Sequence, residues 1–255
     1  MAARHLLPLA LLCAAAKAAL WMPLPSYITP CSRNDPDVSG CALKSGRAAM
    51  KDFINGDRQY RIPSLNPLRI DTLAVDEGSG PLGLAFVANN GTVYGLADTS
   101  IDDVRIDLKN QHVEYDLTMP RLELLCIYNV SGKVLLLPIV GNGPGNITLI
   151  GVKIRYIYDF GFESRTRDGE TKSFAIPKNS KLEYNVTRAY IHLDNLFNGD
   201  KLLGETTNRV LNENWQDLAK EVGPTIAEAI GEVMRQILQN IFDVVSYEDA
   251  FPDKV

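Results

Sequence analysis

Apolar positions along this chain keep a helical period near its start, a period of two through its middle, and a helical period again to its end. Cys41, Ala48, Ala49, Phe53 and Ile54 form one stripe, so residues 38–54 are predicted to be a helix. Residues 60–70 carry Pro63 and Pro67 and read as extended and irregular. From residue 82 to 193 the pattern is that of strands. Asn90-Gly91 between Phe86-Val87-Ala88 and Thr92-Val93-Tyr94 predicts a hairpin. Val104, Ile106 and Leu108 alternate with charged residues. Across Asn110-Gln111, so do Val113, Tyr115 and Leu117, which predicts two half-buried antiparallel strands. Leu122, Leu124, Cys126 and Tyr128 continue that apolar face. A turn at Ser131-Gly132 leads into a strand over 133–140, and the glycine-rich stretch 141–146 reads as another turn. A long strand follows with Ile150, Val152, Ile154, Tyr156, Tyr158 and Phe160 on one face, reversed by Arg167-Asp168-Gly169. The last strand sets Leu182, Tyr184, Val186, Tyr190 and His192 opposite Lys181, Glu183, Asn185 and Thr187.

Asp200 is a suitable N-cap for a closing helix whose stripe includes Leu203, Val210, Leu211, Trp215, Leu218 and Val222. Pro224 predicts a kink or short break, after which the stripe resumes through Ile226, Ile230, Val233, Met234, Ile237, Leu238, Ile241 and Phe242. One apolar sheet face and one long striped helix bury each other most simply if the sheet wraps the helix.

The first residues change the picture. Arg4 and His5 precede an apolar run that ends at Ala16-Lys17-Ala18, a small-x-small pattern. Residues 1–18 are therefore expected to be a removed signal peptide, and 19–255 one binding domain of a secreted, extracellular protein. Loss of Arg4 and Lys17 lowers the 26 basic residues to 24 against 31 acidic ones, which argues against nucleic acid and anionic membranes as partners. Cys31 and Cys41 flank a short polar loop and are close enough to pair. A bridge there adds roughly 2–3 kcal/mol by the chain-entropy model. Cys126 is left as a buried thiol. Sequons at Asn90, Asn129, Asn146 and Asn185 fit export and glycosylation, with Asn129 and Asn185 on the polar strand faces.

No chemistry stands out. Only His112 and His192 remain beyond the leader, too few for a metal cluster, and no Gly-x-Ser-x-Gly elbow is present. The glycine-rich stretch lies between strands, where no helix N-terminus follows to hold a phosphate, and Pro144 removes an amide donor. The expectation is a protein without metal, cofactor or catalytic residues.

Several motifs resemble those of the insect takeout and juvenile-hormone-binding proteins. They are the Cys31–Cys41 pair, residues 62–68 (Ile-Pro-Ser-Leu-Asn-Pro-Leu), residues 132–138 (Gly-Lys-Val-Leu-Leu-Leu-Pro), Asp194-Asn195-Leu196-Phe197-Asn198-Gly199, and Leu211-Asn212-Glu213-Asn214-Trp215. Asn66, Cys126 and Ser246 depart from the family pattern, and the absence of a second cysteine pair resembles the takeout branch. The resemblance implies an α+β fold, a strongly curved antiparallel sheet around one long C-terminal helix, related to tubular lipid-binding proteins. It also implies a carrier of a juvenile-hormone-like, fatty acyl or other lipid ligand, linked to circadian, feeding or chemosensory physiology.

Face and size select Phe197, Trp215, Leu218, Val222, Ile226, Ile230, Val233, Met234 and Ile237 as helical candidates for a ligand tunnel, with Tyr128, Tyr156 and Tyr158 from the sheet. The partner expected is a small hydrophobic ligand, bound by a monomer without stable membrane insertion. The alternative is an extracellular interaction module with a filled core.

Overall fold

The computed structural model describes residues 21–75, 83–134 and 137–255. The expected leader and its cleavage site lie outside the described residues. Seven strands form one antiparallel sheet: β1 Leu68–Val75, β2 Leu84–Tyr94, β3 Ser100–Asp107, β4 His112–Val134, β5 Leu137–Arg167, β6 Glu170–Asn185 and β7 Arg188–Leu193. Its order is β1-β2-β4-β5-β6, with β3 also on β4 and β7 also on β5. The helices are α1 Val38–Phe53, α2 Lys201–Glu213, α3 Trp215–Phe242 and the single turn α4 Tyr247–Ala250. The fold is the expected α+β one, a large curved antiparallel sheet with a long C-terminal helix.

Two strands hold the sheet together. β4 and β5 pair from His112↔Asp159 to Val134↔Leu137 in one continuous register. Their side-chain alternation nevertheless flips at Pro120 and Gly151. Val113, Tyr115, Leu117 and Met119 point inward before it, and Leu122, Leu124, Cys126 and Tyr128 after it. Pro120 has no amide to donate, and Gly151 takes φ +61°, so both strands twist at the same place. The junction divides the sheet. β3 and β6 pair with β4 and β5 on one side of it, and β1, β2 and β7 belong to the other side.

Several expected turns prove to be strand. Asn90-Gly91 lies within β2, where Asn90 at φ +52° forms a bulge that shifts the β2–β4 register between Asn89 and Thr92. Ser131-Gly132 lies within β4, which continues to Val134. The stretch 141–146 lies within β5, so its glycines serve close approach instead of turning. A Cβ on Gly141 would sit 2.8 Å from the Tyr128 hydroxyl and 3.0 Å from the Leu196 backbone. Gly145 is similarly hemmed by Leu193, Tyr128 and Cys126. The expected reversal at Asp168-Gly169 is present, both residues having positive φ. Residues 68–70, read as irregular, open β1. The predicted final strand is two, and the break after Asn185 inverts the alternation. Ala189, Ile191 and Leu193 therefore face inward, while Tyr190 and His192, expected inward, are exposed.

The free edge of β7 is satisfied by asparagine side chains. Asn208 and Asn212, one helical turn apart on α2, imitate a neighbouring strand. Asn208 accepts from the Leu193 amide (2.9 Å) and donates to its carbonyl (2.9 Å). Asn212 does the same for Ile191 (3.0 and 2.6 Å). Asp200 caps α2 through the Leu203 amide, as expected. The break between α2 and α3 falls at Asn214 (φ −110°, ψ 25°), whereas α3 runs through Pro224 uninterrupted. The residue before that proline is Gly223, which has no Cβ for the proline ring to crowd. The opposite edge strand, β3, is covered by α1: Arg47 donates to the Ile101 and Asp102 carbonyls, and Ser39 accepts from the Ile106 amide.

Candidate ligand-binding interior

Two apolar clusters occupy the concave face of the sheet, one on each side of the Pro120–Gly151 junction. The first gathers Leu84, Ala88, Cys126, Tyr128, Val130, Leu193, Leu196, Leu211 and Leu218, with Phe86, Phe197 and Val222 against it. The second gathers Val113, Met119, Val152, Ile154, Tyr156, Tyr158, Phe160 and Ala175, with Met234, Leu238 and Phe242 against it. A third, small cluster of Tyr60, Ile62, Ile241, Val244 and Val245 closes the end of α3. Helix α3 therefore spans both main clusters, Leu218 and Val222 in one, Met234 and Leu238 in the other.

The sheet-side candidates Tyr128, Tyr156 and Tyr158 are all buried, but Tyr128 sits in the first cluster and the other two in the second. Among the helical candidates, Phe197, Leu218 and Val222 pack in the first cluster and Met234 in the second. Ile237 packs in the third, and Ile226 is half-buried outside all three. Trp215 is half-buried outside the three clusters, its ring beneath the Arg188 guanidinium at 5.7 Å. Ile230 and Val233 are 40% and 44% exposed and line no cluster. The reason is helical phase. Leu218 and Val222 project from one side of α3, and Ala227, Gly231, Met234 and Leu238 project from a side turned roughly half a turn away. Extending the first stripe past Pro224 leads to Ile230 and Val233, but there the helix has turned another side to β6, where Gly231 approaches Leu182.

Around the cluster cores the inner surface is carried by leucines that size alone passed over. Leu122 and Leu149 face one another directly across β4 and β5, next to the junction, and Leu124 faces Ile147. All four are half-buried, as are Tyr115, Leu117 and Val186 on the same face. Strand alternation gives their direction, and the structure packs Leu122, Leu149, Tyr115, Leu117 and Val186 against the second cluster and Leu124 against the first.

Polar groups inside are few. The Tyr115 and Tyr158 rings stack with centroids 6.3 Å apart, and burial raises the pKa of both hydroxyls, that of Tyr158 well above the ordinary phenol value. The Tyr128 hydroxyl donates to the Asp194 carbonyl at 2.6 Å, and burial pushes its pKa up to about 12. The buried Tyr156 hydroxyl has no hydrogen-bond partner; Ser180 lies near it without meeting hydrogen-bond geometry. Cys126 is a buried free thiol whose pKa burial raises, so it is an inert side chain at neutral pH. Cys31 and Cys41 form a disulfide. Among the described residues no group of histidine, cysteine and carboxylates could hold a metal, and no helix is long and apolar enough to cross a membrane.

Two clefts open on the outside. One of about 590 Å³ lies between residues 21–30 and Lys172, Glu248, Asp249 and Pro252. The other, about 490 Å³, lies beside the disulfide. Neither is lined by a candidate ligand residue.

A sheet of this topology closed over one helix is matched by known proteins. The model of the haemolymph juvenile hormone binding protein family covers residues 9–252. The chain belongs to that family. Within it, the chain is 27% identical over 234 residues to the circadian clock-controlled protein daywake of Drosophila melanogaster, covering 89% of this chain and 88% of that one. It is 23% identical over 199 residues to a putative β-carotene-binding protein of Schistocerca gregaria, covering 76% and 77%. The crystal structure of Takeout 1 from Epiphyas postvittana superposes with a TM-score of 0.76 at 26% identity, over 88% of this chain and all of that one. The juvenile hormone binding protein family is a family of binding proteins, in keeping with an interior of apolar side chains.

Proposed function

We propose that this protein is a secreted carrier that reversibly binds a small hydrophobic ligand between the concave face of the sheet and α3. The ligand class is a juvenile-hormone-like terpenoid, a fatty acyl compound or a comparable lipid. The observation that carries this reading is the set of inward-facing apolar side chains that pack against the two clusters and stay half-buried: Tyr115, Leu117, Leu122, Leu149 and Val186 on the second and Leu124 on the first. Large apolar groups that face inward and remain incompletely covered are what a ligand would cover.

The relatives supply the chemical class. The family is described by juvenile hormone binding, and one relative by β-carotene binding; both compounds are apolar isoprenoids. The unpartnered Tyr156 hydroxyl offers one hydrogen bond to an oxygen at the end of such a molecule. A ligand of roughly 20 heavy atoms gains about 6 kcal/mol at ~0.3 kcal/mol per atom, a dissociation constant of tens of micromolar before any gain from close fit. Each methylene is worth about 1 kcal/mol, so a homologous series binds with graded affinity and without turnover. A part in circadian, feeding or chemosensory physiology belongs to the same proposal, and the clock-controlled relative supports the first of these.

Native mass spectrometry of protein secreted by a eukaryotic host tests the reading. A lipid that co-purifies, or one taken up from a fatty acid and terpenoid series, is the expected result. A chain that stays ligand-free and takes up none of the series is an interaction module with a filled core.

A further inference from the structure

The convex face of the second half-sheet has an unusual composition. Three successive rungs cross it: Thr72–Asn89–Ile127–Pro144, then Ala74–Val87–Asn129–Asn142, then Ala85–Ser131–Val140. None carries a charge. Ile127 is 49% and Val140 53% exposed, and Leu125, Pro138 and Pro144 are exposed beside them. A pleated, uncharged surface of this kind is a self-association hazard unless something lies on it. The chain carries its own candidate cover. Asn129 occupies the middle rung, its side chain exposed, and is followed by Val130 and an exposed Ser131, completing an Asn-x-Ser sequon.

We propose that Asn129 is N-glycosylated and that its glycan lies over Val87, Ile127, Val140 and Pro144, keeping this face from pairing with a second copy. The inference rests on the secretory reading above. In the modification, the Asn129 carboxamide nitrogen attacks C1 of the first N-acetylglucosamine of a lipid-pyrophosphate-linked oligosaccharide. The N–C1 bond forms, the C1–O bond to the pyrophosphate breaks, the amide loses one proton, and the lipid pyrophosphate leaves. The C–H faces of the sugars then cover aliphatic side chains, and their hydroxyls face water.

The other sequons stand elsewhere or are engaged. Asn146 shares the convex face, but its Nδ2 donates to Glu123 at 2.8 Å and its partner Thr148 is buried. Asn90 sits on the β2 bulge. Asn185 ends β6 opposite Lys153 and next but one to Glu183, on a charged surface that needs no cover.

The full-length chain is expressed in eukaryotic cells and recovered from the medium. Its sequons are then mapped by glycosidase release in heavy-oxygen water. Asn129 is expected to be occupied in most molecules. Sedimentation velocity of wild type, N129Q and N185Q then reads the glycan's effect. Loss of the Asn129 glycan in N129Q is expected to shift monomer to dimer or larger species, and N185Q to leave a monomer. Adding I127K to N129Q restores the monomer. An unoccupied Asn129 in a secreted chain glycosylated elsewhere overturns this proposal alone, as does a monomeric N129Q. A chain retained in the cell without any glycan overturns the secretory reading with it.

Discussion

The two half-sheets meet the same requirement on their concave sides and opposite ones on their convex sides. On the half built from β3, β6 and the adjoining parts of β4 and β5, the outer face is a charge ladder. Arg105 binds Asp103, Glu114 and Asp116. Asp116 also accepts from Arg155, and His112 bridges Asp159 and Glu114. On the half built from β1, β2, β7 and the rest of β4 and β5, the middle of the outer face around Ile127 is asparagine, threonine and exposed aliphatic residues, and charges such as Arg69 and the Arg121–Glu123 pair stand at its border. The inner faces are both closed by aromatic and aliphatic clusters. The lesson is that a sheet's inner composition is dictated by burial, whereas its outer composition is free to be set by what covers it or by what must not.

Substitutions at the glycine rows sharpen this comparison most. Gly141→Val puts methyl groups into the Tyr128 hydroxyl and the Leu196 backbone and is expected to cost about 3 kcal/mol. Gly169→Asn at the open hairpin tip stays within about 0.5 kcal/mol, because asparagine tolerates positive φ and no atom lies within 4 Å of the position. Chemical denaturation of both variants measures the contrast. Next in size is Asn212→Leu, which leaves the Ile191 amide and carbonyl without partners. It is expected to cost about 2 kcal/mol, with faster amide exchange confined to β7.

Breaking the charge ladder has smaller effects, all in the first half-sheet. The Arg155 and Arg105 guanidiniums hold the Asp116 carboxyl down at about 2. A depressed carboxylate stabilises above its unfolded value of 3.8 and loses that contribution as pH falls toward 2. Asp116→Asn is expected to cost about 1 kcal/mol at neutral pH and low salt, less at high salt, and nothing extra at pH 2. Hydrogen bonds to Asp159 and then Glu114 raise the His112 pKa above 6.5. A raised imidazole stabilises fully below 6.5 and loses its contribution as pH rises through the folded value. His112→Gln is expected to flatten the pH dependence of stability across that window by less than about 1 kcal/mol, since the ring is 37% exposed. Thermal melts at a series of pH values measure it.

The same comparison shows why parts of the fold were legible in the sequence. In the charged half, polar and apolar residues alternate strictly, so β3 and the start of β4 were read with their faces correct. In the other half the outer residues are themselves apolar or small. Alternation fades there, and glycines that admit Tyr128 and Leu196 look like turns. The reading of Tyr190 and His192 failed for a related reason: a two-residue gap between β6 and β7 inverts every later side chain. The tyrosines of the interior were legible because they are large and on the right parity. Ile230 and Val233 were misplaced because a helical stripe says which residues share a side, but not which side the helix turns to its neighbour beyond Pro224. Leu122 and Leu149 could be assigned to a face but not to each other, since their meeting depends on the register of two strands.

Ligand uptake by three tryptophan variants tests the central claim, that the ligand lies between the concave face of the sheet and α3. Leu149→Trp and Met234→Trp project into that space, and Ile230→Trp projects from the exposed side of the helix. Titration with a fluorescent fatty acid is expected to show both inward variants weakened by roughly tenfold or more, with the Ile230 variant within about twofold of wild type. The opposite pattern, unimpaired uptake by the Leu149 and Met234 variants with folding intact, would contradict the account.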